Sequence, residues 1–185
     1  MSKLDKKFTA IIVMGVSGCG KSTVGRLLAD RLGWPFIESD DYHSADDIQK
    51  MANGIPLTDE DRWPWLDRVA TALLQPDPSL GKAGCVVACS ALRRAYRDRL
   101  RQQVPGLHFV FLEGEAELLA QRMAQREGHF MLLQLLSSQL ATLEIPGPDE
   151  HDVLTLPAQR TLEQLVQDVC DALARAPADS PTGQT

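Results

Sequence analysis

"AIIVMGVSGCGKST", residues 10–23, decides how the rest of the chain is read. An apolar run rich in β-branched residues, beginning at Phe8 and ending at Met14, predicts a buried strand. It runs straight into Gly15, Gly18 and Gly20, and then Lys21 and Ser22. The spacing fits G-x-x-x-x-G-K-[ST], in which glycines let backbone amides turn inward and meet phosphate oxygens without side-chain obstruction. Lys21 can reach the β- and γ-phosphates, and the Ser22 hydroxyl can ligate magnesium. Apolar residues at Val24, Leu27, Leu28 and Leu32 give residues 21–32 a helical period, with Gly33 as a stop. The helix would add its positive end to the loop. Gly15, Val16, Ser17, Gly18, Cys19, Gly20, Lys21, Ser22 and Thr23 are therefore expected to hold a nucleoside triphosphate.

Outward from this loop, strands and helices alternate. Strands are expected at 34–39, 85–90, 107–114 and 151–156, and helices at 45–53, 60–74, 92–103, 115–127 and 161–174. Residues 75–84, with two prolines and two glycines, read as a turn, and 176–185 as a flexible tail. The alternation predicts an α/β fold: a five-stranded parallel sheet with helices on both faces, in one domain over residues 1–175. In such sheets ligands sit beyond the carboxyl ends of the strands. The segments after Met14, Ile37, Ala88 and Leu112 should thus share one crevice.

The bulk properties narrow the function. A net charge of −6 over 185 residues argues against a nucleic-acid partner. No apolar run approaches the roughly 20 residues that span a bilayer, and none resembles a secretion signal, so a cytoplasmic protein without a membrane partner is expected. Cys85 and Cys89 lie four apart in an apolar run with no second pair, and read as buried thiols rather than zinc ligands. Among triphosphate-binding classes, a switch GTPase would carry N-K-x-D, which is absent; the D-x-x-G match at Asp30–Gly33 lies at a helix end. A motor ATPase would end an apolar strand in an acid, but residues 85–90 end in Cys89 and Ser90. A small-molecule kinase remains. Its second strand should bring acids to the crevice, and Glu38-Ser39-Asp40-Asp41 does so. Strand alternation would point Glu38 and Asp40 the same way, one toward magnesium and one accepting the proton of an attacking hydroxyl. Asp41, pointing the other way, would cap the next helix.

"MGVSGCGKST", "DDYH", "KMANGIPLTDEDRWPWL", "CSALRRAYRDRLR", "GHFM" and "SSQLATLEIPG" together resemble the P-loop gluconokinase family, relatives of shikimate kinase and the nucleoside monophosphate kinases. The resemblance runs from about Ile11 to Leu173. It implies a P-loop kinase fold with a small lid at about residues 122–137. It also implies ATP and Mg2+ as cofactors, transfer of the γ-phosphate to the terminal hydroxyl of D-gluconate, and a homodimer. By position it makes Asp40 the substrate-binding acid and base, Glu38 the magnesium-side acid beside Ser22, and Arg62 a substrate-binding arginine. His43, Arg93 and Gln139 would contact substrate, while Arg122 and Arg126 would clamp phosphate, with Lys21, Asp40 and Arg126 serving catalysis. The alternatives are a same-fold kinase for another acid or polyol such as shikimate, or a nucleotide-binding regulator without catalysis.

Three departures from the family pattern stand out. Ser44 and Asp47 replace a usual proline and asparagine, and the extra acid would oppose an anionic substrate unless turned outward. Glu38-Ser39-Asp40 replaces a usual pair of aspartates, and Leu140 replaces an aromatic. Arg62 itself, in "DEDRWPWL" (59–66), is expected to clamp the gluconate carboxylate, because a planar guanidinium suits that anion. Pro64 in the first helical turn and the flanking tryptophans would fix it, with Thr58 or Asp59 as cap. The competing reading is a surface ion pair between Arg62 and its acidic neighbours. Arg94, Arg97, Arg99 and Arg101 are expected on a solvated helix face. His129 could be a nucleotide contact or a turn residue, and residues 131–136 pack the lid.

Overall fold

The strand before the glycines is the centre of the sheet. In the computed structural model, which describes residues 10–74, 84–124 and 129–175, strand β1 (Ala10–Met14) is no more than 1% exposed at any residue. It pairs in parallel with β3 (Cys85–Ala88) on one side and β4 (Leu107–Glu113) on the other. β2 (Phe36–Glu38) and β5 (Val153–Pro157) complete a five-stranded parallel sheet in the order β2-β3-β1-β4-β5. The expected fold class is correct. Strand alternation sends Ile11 and Val13 to one face and Ala10, Ile12 and Met14 to the other.

The first face is covered by α1 (Lys21–Leu32), α5 (Ala116–Ala124) and α7 (Leu162–Arg175), through Val24, Leu28, Leu119 and Val169. The second is covered by α3 (Asp59–Leu74) and α4 (Arg94–Gln103), through Leu66, Val69, Leu73 and Leu100. Of two further helices, α6 (His129–Thr142) packs against α5, and α2 (Ala45–Ala52) sets Asp47 beside Arg68 of α3. Gly33 ends α1 in the left-handed region at φ 65°, as its position predicted. The start of the first strand at Phe8, the turn at 75–83 and the tail at 176–185 lie outside the described residues.

Local expectations needed four corrections. The second strand ends at Glu38 and a 3₁₀ turn, Ser39–Tyr42, follows, so Glu38 and Asp40 are not related by strand alternation. Asp41 does not cap α2. Ser44 does, accepting from the Asp47 amide, while Asp47 accepts from the Ser44 amide, a reciprocal capping box. The two unusual residues are thus partners, and Asp47 turns inward rather than outward, its charge spent on a helix N-terminus and beside Arg68 at 3.6 Å. Pro64 falls in the second turn of α3, where it removes the hydrogen bond its N–H would have given to the Glu60 carbonyl.

The last correction concerns α4. Its arginines do not all lie on a solvated face: Arg94 is exposed, but Arg97 is fully buried. Its Nε and Nη2 donate to the two Glu150 oxygens at 2.7 Å each, and its Nη1 donates to the carbonyls of Ala91 and Leu92. Arg101 donates to Glu150, Asp98 and Asp152, and Arg99 donates to Asp67 through two hydrogen bonds. A bidentate pair of this kind fixes geometry as well as charge. Hydrogen bonds from Arg97 first, and then Arg101, hold the Glu150 carboxyl down to about 2 against its burial.

Because this acid ionises more readily in the folded chain, the unfolded chain binds the more protons between pH 4.5 and about 2. The stabilisation, roughly 3 kcal/mol, is complete above pH 4.5 and is lost as pH falls through the folded value. Glu150→Gln should cost about 3–5 kcal/mol at neutral pH by stranding a buried guanidinium. It should also flatten the acid limb of a stability-versus-pH profile measured by denaturant melts. Parallel profiles for the two proteins would remove Glu150 from that role.

Candidate active site

The loop after β1 owes its shape to its glycines. Gly15, Gly18 and Gly20 have φ of 137°, 83° and 100°, a region that side chains rarely tolerate. A Cβ on Gly15 would stand 2.9 Å from both the Leu112 carbonyl oxygen and the Cys19 sulfur. The Gly15 amide donates to the Ser90 carbonyl at 3.3 Å, tying the loop to the end of β3. Gly20 is the N-cap of α1 and provides no side-chain acceptor, and the first turn of that helix has no acid. The first amides of α1 are therefore available to an anion. The Lys21 ammonium donates to the Val16 carbonyl at 3.1 Å, folded along the loop it would serve. Burial pushes the Cys19 thiol up, partly opposed by Lys21, so this cysteine is a packing residue of the loop.

One residue expected elsewhere also touches the loop. Gln139, expected at a polyol, instead accepts a hydrogen bond from the Ser17 amide through Oε1 at 2.6 Å, joining α6 to the loop. Arg122 donates through Nη2 to the Ala158 carbonyl at 2.8 Å, and its charge reaches the Cys19 thiol. Arg126 and the centre of the expected lid lie outside the described residues, and His129 opens α6.

The acidic turn is held by a tryptophan. Trp65, on α3 and 3% exposed, donates its indole N–H to the Ser39 carbonyl at 2.8 Å. The same indole stacks on His43 at 4.5 Å between centroids. Asp40 therefore projects from a braced turn, its side chain 80% exposed, with His43 Nε2 3.9 Å from its Oδ1. Burial lowers the His43 pKa, only partly opposed by Asp40 and Asp47, so the ring is neutral at neutral pH. Burial pushes the Cys89 thiol, just beyond β3, up to about 11. Glu38 ends β2 with Arg26 3.9 Å away.

Arg62 forms no ion pair among the described residues; its Nη1 donates to the Tyr96 hydroxyl at 2.8 Å. Two of the acids around it, Asp59 and Asp61, are spent elsewhere. Asp61 forms a reciprocal cap with Thr58 and accepts from Lys50, and Asp59 accepts from Arg93 and Tyr96. The surface-ion-pair reading of Arg62 therefore fails, and Thr58 is the cap. Tyr96 was missed from sequence, and Asp59 and Trp65 were given other roles there, because what they do depends on contacts between separate elements. A cavity of about 590 Å³ opens between α2 and α3, lined by Asp47, Lys50, Asp61 and Arg68 among others, but not by Lys21, Asp40 or Arg62.

Residues 17–174 match the family model for shikimate kinase. The chain is 49% identical over 140 residues to a gluconokinase of Gluconobacter oxydans, covering 76% of this chain and 78% of that one. It is 38% identical over 175 residues to the thermoresistant gluconokinase of Escherichia coli, covering 95% and 99%. Its fold superposes on the crystal structure of a gluconokinase from Sinorhizobium meliloti with a TM-score of 0.79, at 47% identity over 90% of this chain and 91% of the other.

Gly15→Ala should weaken ATP binding by at least about tenfold, because φ 137° and the Leu112 carbonyl both oppose a methyl group. Fluorescent-nucleotide titration reads this directly, and an unchanged affinity would mean that the loop is not shaped by Gly15.

Proposed function

We propose a mechanism for a gluconokinase from the premise that the chain belongs to the shikimate kinase family and, through its relatives, to the gluconokinases. It is an ATP-dependent phosphotransferase that moves the γ-phosphate of ATP to the terminal hydroxyl of D-gluconate, giving 6-phospho-D-gluconate. The observation that carries the acceptor assignment is Arg62: a guanidinium in a braced helical turn, bonded to a neutral phenol and free of ion pairs among the described residues. Its unspent N–H groups suit a carboxylate at the end of the acceptor opposite the reacting hydroxyl.

Lys21 and the loop amides bind the β- and γ-phosphates, and the open N-terminus of α1 extends the positive field. The donor set suits magnesium carried by the nucleotide, with the Ser22 hydroxyl and Glu38 as its protein-side oxygens. Mg2+, when bound, would neutralise charge on the phosphate oxygens. Asp40, projecting from the turn that Trp65 braces, orients the acceptor hydroxyl and takes its proton. Neutral His43 can give or accept a hydrogen bond from the substrate polyol without adding charge. Arg93 is engaged by Asp59 through one nitrogen only, which leaves other donors for substrate. Arg122 and Arg126 remain assigned to phosphate on the resemblance. Gln139 is reassigned from polyol contact to support of the loop at Ser17.

The homodimer is part of this reading on the resemblance alone, and the cytoplasmic location is carried over from the sequence expectation. Among the described residues no helix is long and apolar enough to cross a membrane.

The test is ADP release from Mg·ATP with D-gluconate, shikimate, glucose, AMP or no acceptor, and turnover is expected with D-gluconate. Arg62→Ala should lower kcat/KM for D-gluconate by about 100-fold or more while leaving ATP affinity intact. Asp40→Asn should lower kcat by about 10²–10⁴ without unfolding the protein. Turnover with another acceptor and none with D-gluconate would overturn the substrate assignment, and an active Asp40→Asn protein would remove the base.

A further inference from the structure

Tyr96 lies on α4, is 2% exposed, and contacts both arginines assigned to the acceptor. Its hydroxyl donates to Asp59 Oδ1 at 2.5 Å and accepts from Arg62 Nη1 at 2.8 Å. Asp59 in turn accepts from Arg93 Nη1 at 2.8 and 3.1 Å. The guanidinium carbons of Arg62 and Arg93 stand 5.5 and 5.9 Å from the phenol ring centroid, and Trp63 meets that ring edge-on at 5.5 Å. The ring is therefore fixed by Trp63, its hydroxyl direction by Asp59, and one donor of Arg62 by the hydroxyl.

We infer that Tyr96, oriented by Asp59, is a positioning residue that aims Arg62 at the acceptor carboxylate. This rests on the gluconokinase reading above. The chemistry explains why a phenol stands there rather than an acid. A guanidinium has donors only, so holding it requires an acceptor. A carboxylate in that place would neutralise Arg62 and compete with the substrate. A neutral hydroxyl holds one N–H and leaves the charge unspent. It can accept with a defined direction only if its own proton is committed, and Asp59 takes that proton's hydrogen bond. Asp59 meanwhile offsets one of the two guanidiniums. The pair of arginines then presents one unneutralised positive charge, the complement of a single carboxylate.

The experiment compares wild type, Tyr96→Phe, Arg62→Ala and the double variant, with steady-state kinetics for both substrates and a thermal melt of each. Tyr96→Phe keeps the ring and its packing and removes only the hydroxyl. It should lower kcat/KM for D-gluconate by about tenfold or more, mainly through KM, with KM for ATP unchanged. In the Arg62→Ala background the same change should have almost no further effect on kcat/KM, because Tyr96 acts through Arg62. The inference is overturned if Tyr96→Phe leaves D-gluconate kinetics unchanged, or if its effect is as large without Arg62 as with it. It is also overturned if the loss tracks a lowered melting temperature and falls equally on both substrates. A wild-type enzyme that fails to phosphorylate D-gluconate would bring down the reading and the inference together. An active wild type with a silent Tyr96→Phe would bring down the inference alone.

Discussion

The whole arrangement depends on one constraint: β1 is paired on both edges, covered on both faces, and ends in a turn that only glycine can make. Its residues are at most 1% exposed, and its partners β3 and β4 fix its register. A strand locked in this way has no freedom to shift, so Gly15 emerges at a defined point, pressed against the Leu112 carbonyl and bonded to Ser90. The loop amides inherit that definition. A phosphate site built from backbone needs such a fixed origin, since backbone dipoles cannot re-aim themselves by changing rotamer.

The segments around the loop are held by polar contacts that cross the sequence. The Arg97–Glu150 pair is the most buried of them, and it also fastens the carbonyls of Ala91 and Leu92 just beyond β3. Ala91 is the only non-glycine with positive φ among the described residues, at 43°. Such a conformation persists when surrounding contacts over-determine it, and the guanidinium supplies one. The Glu144 amide donates to the Leu92 carbonyl while the Glu144 carboxylate accepts from the Arg94 amide at the start of α4. The C-terminal end of α6 is thereby joined to the loop that follows β3, much as Gln139 joins α6 to the phosphate loop.

The start of α3 divides its side chains among several tasks. Thr58 and Asp61 cap the helix, Asp59 serves Arg93 and Tyr96, Trp65 braces the turn carrying Asp40, and Trp63 packs the edge of Tyr96. Arg62 is left with a phenol. The acidic run beside it looked like a set of ion-pair partners because those residues are adjacent in sequence. Helical geometry and distant partners allocate Asp59 and Asp61 differently.

Periodicity and glycine chemistry in the sequence determined the sheet, the helices that cover it and the phosphate loop. These follow from hydrophobic alternation and from backbone angles that few residues accept, both of which are local properties. The resemblance of short motifs pointed to the acceptor. Tertiary structure alone decided that Asp40 leaves its strand for a 3₁₀ turn, that Gln139 serves the loop, and that Arg97 is buried. It also decided which acid each arginine takes. Charge pairing is set by distance in space, and residues 34 or 53 positions apart, such as Arg93 with Asp59 or Arg97 with Glu150, become neighbours only after the sheet has brought their helices and loops together.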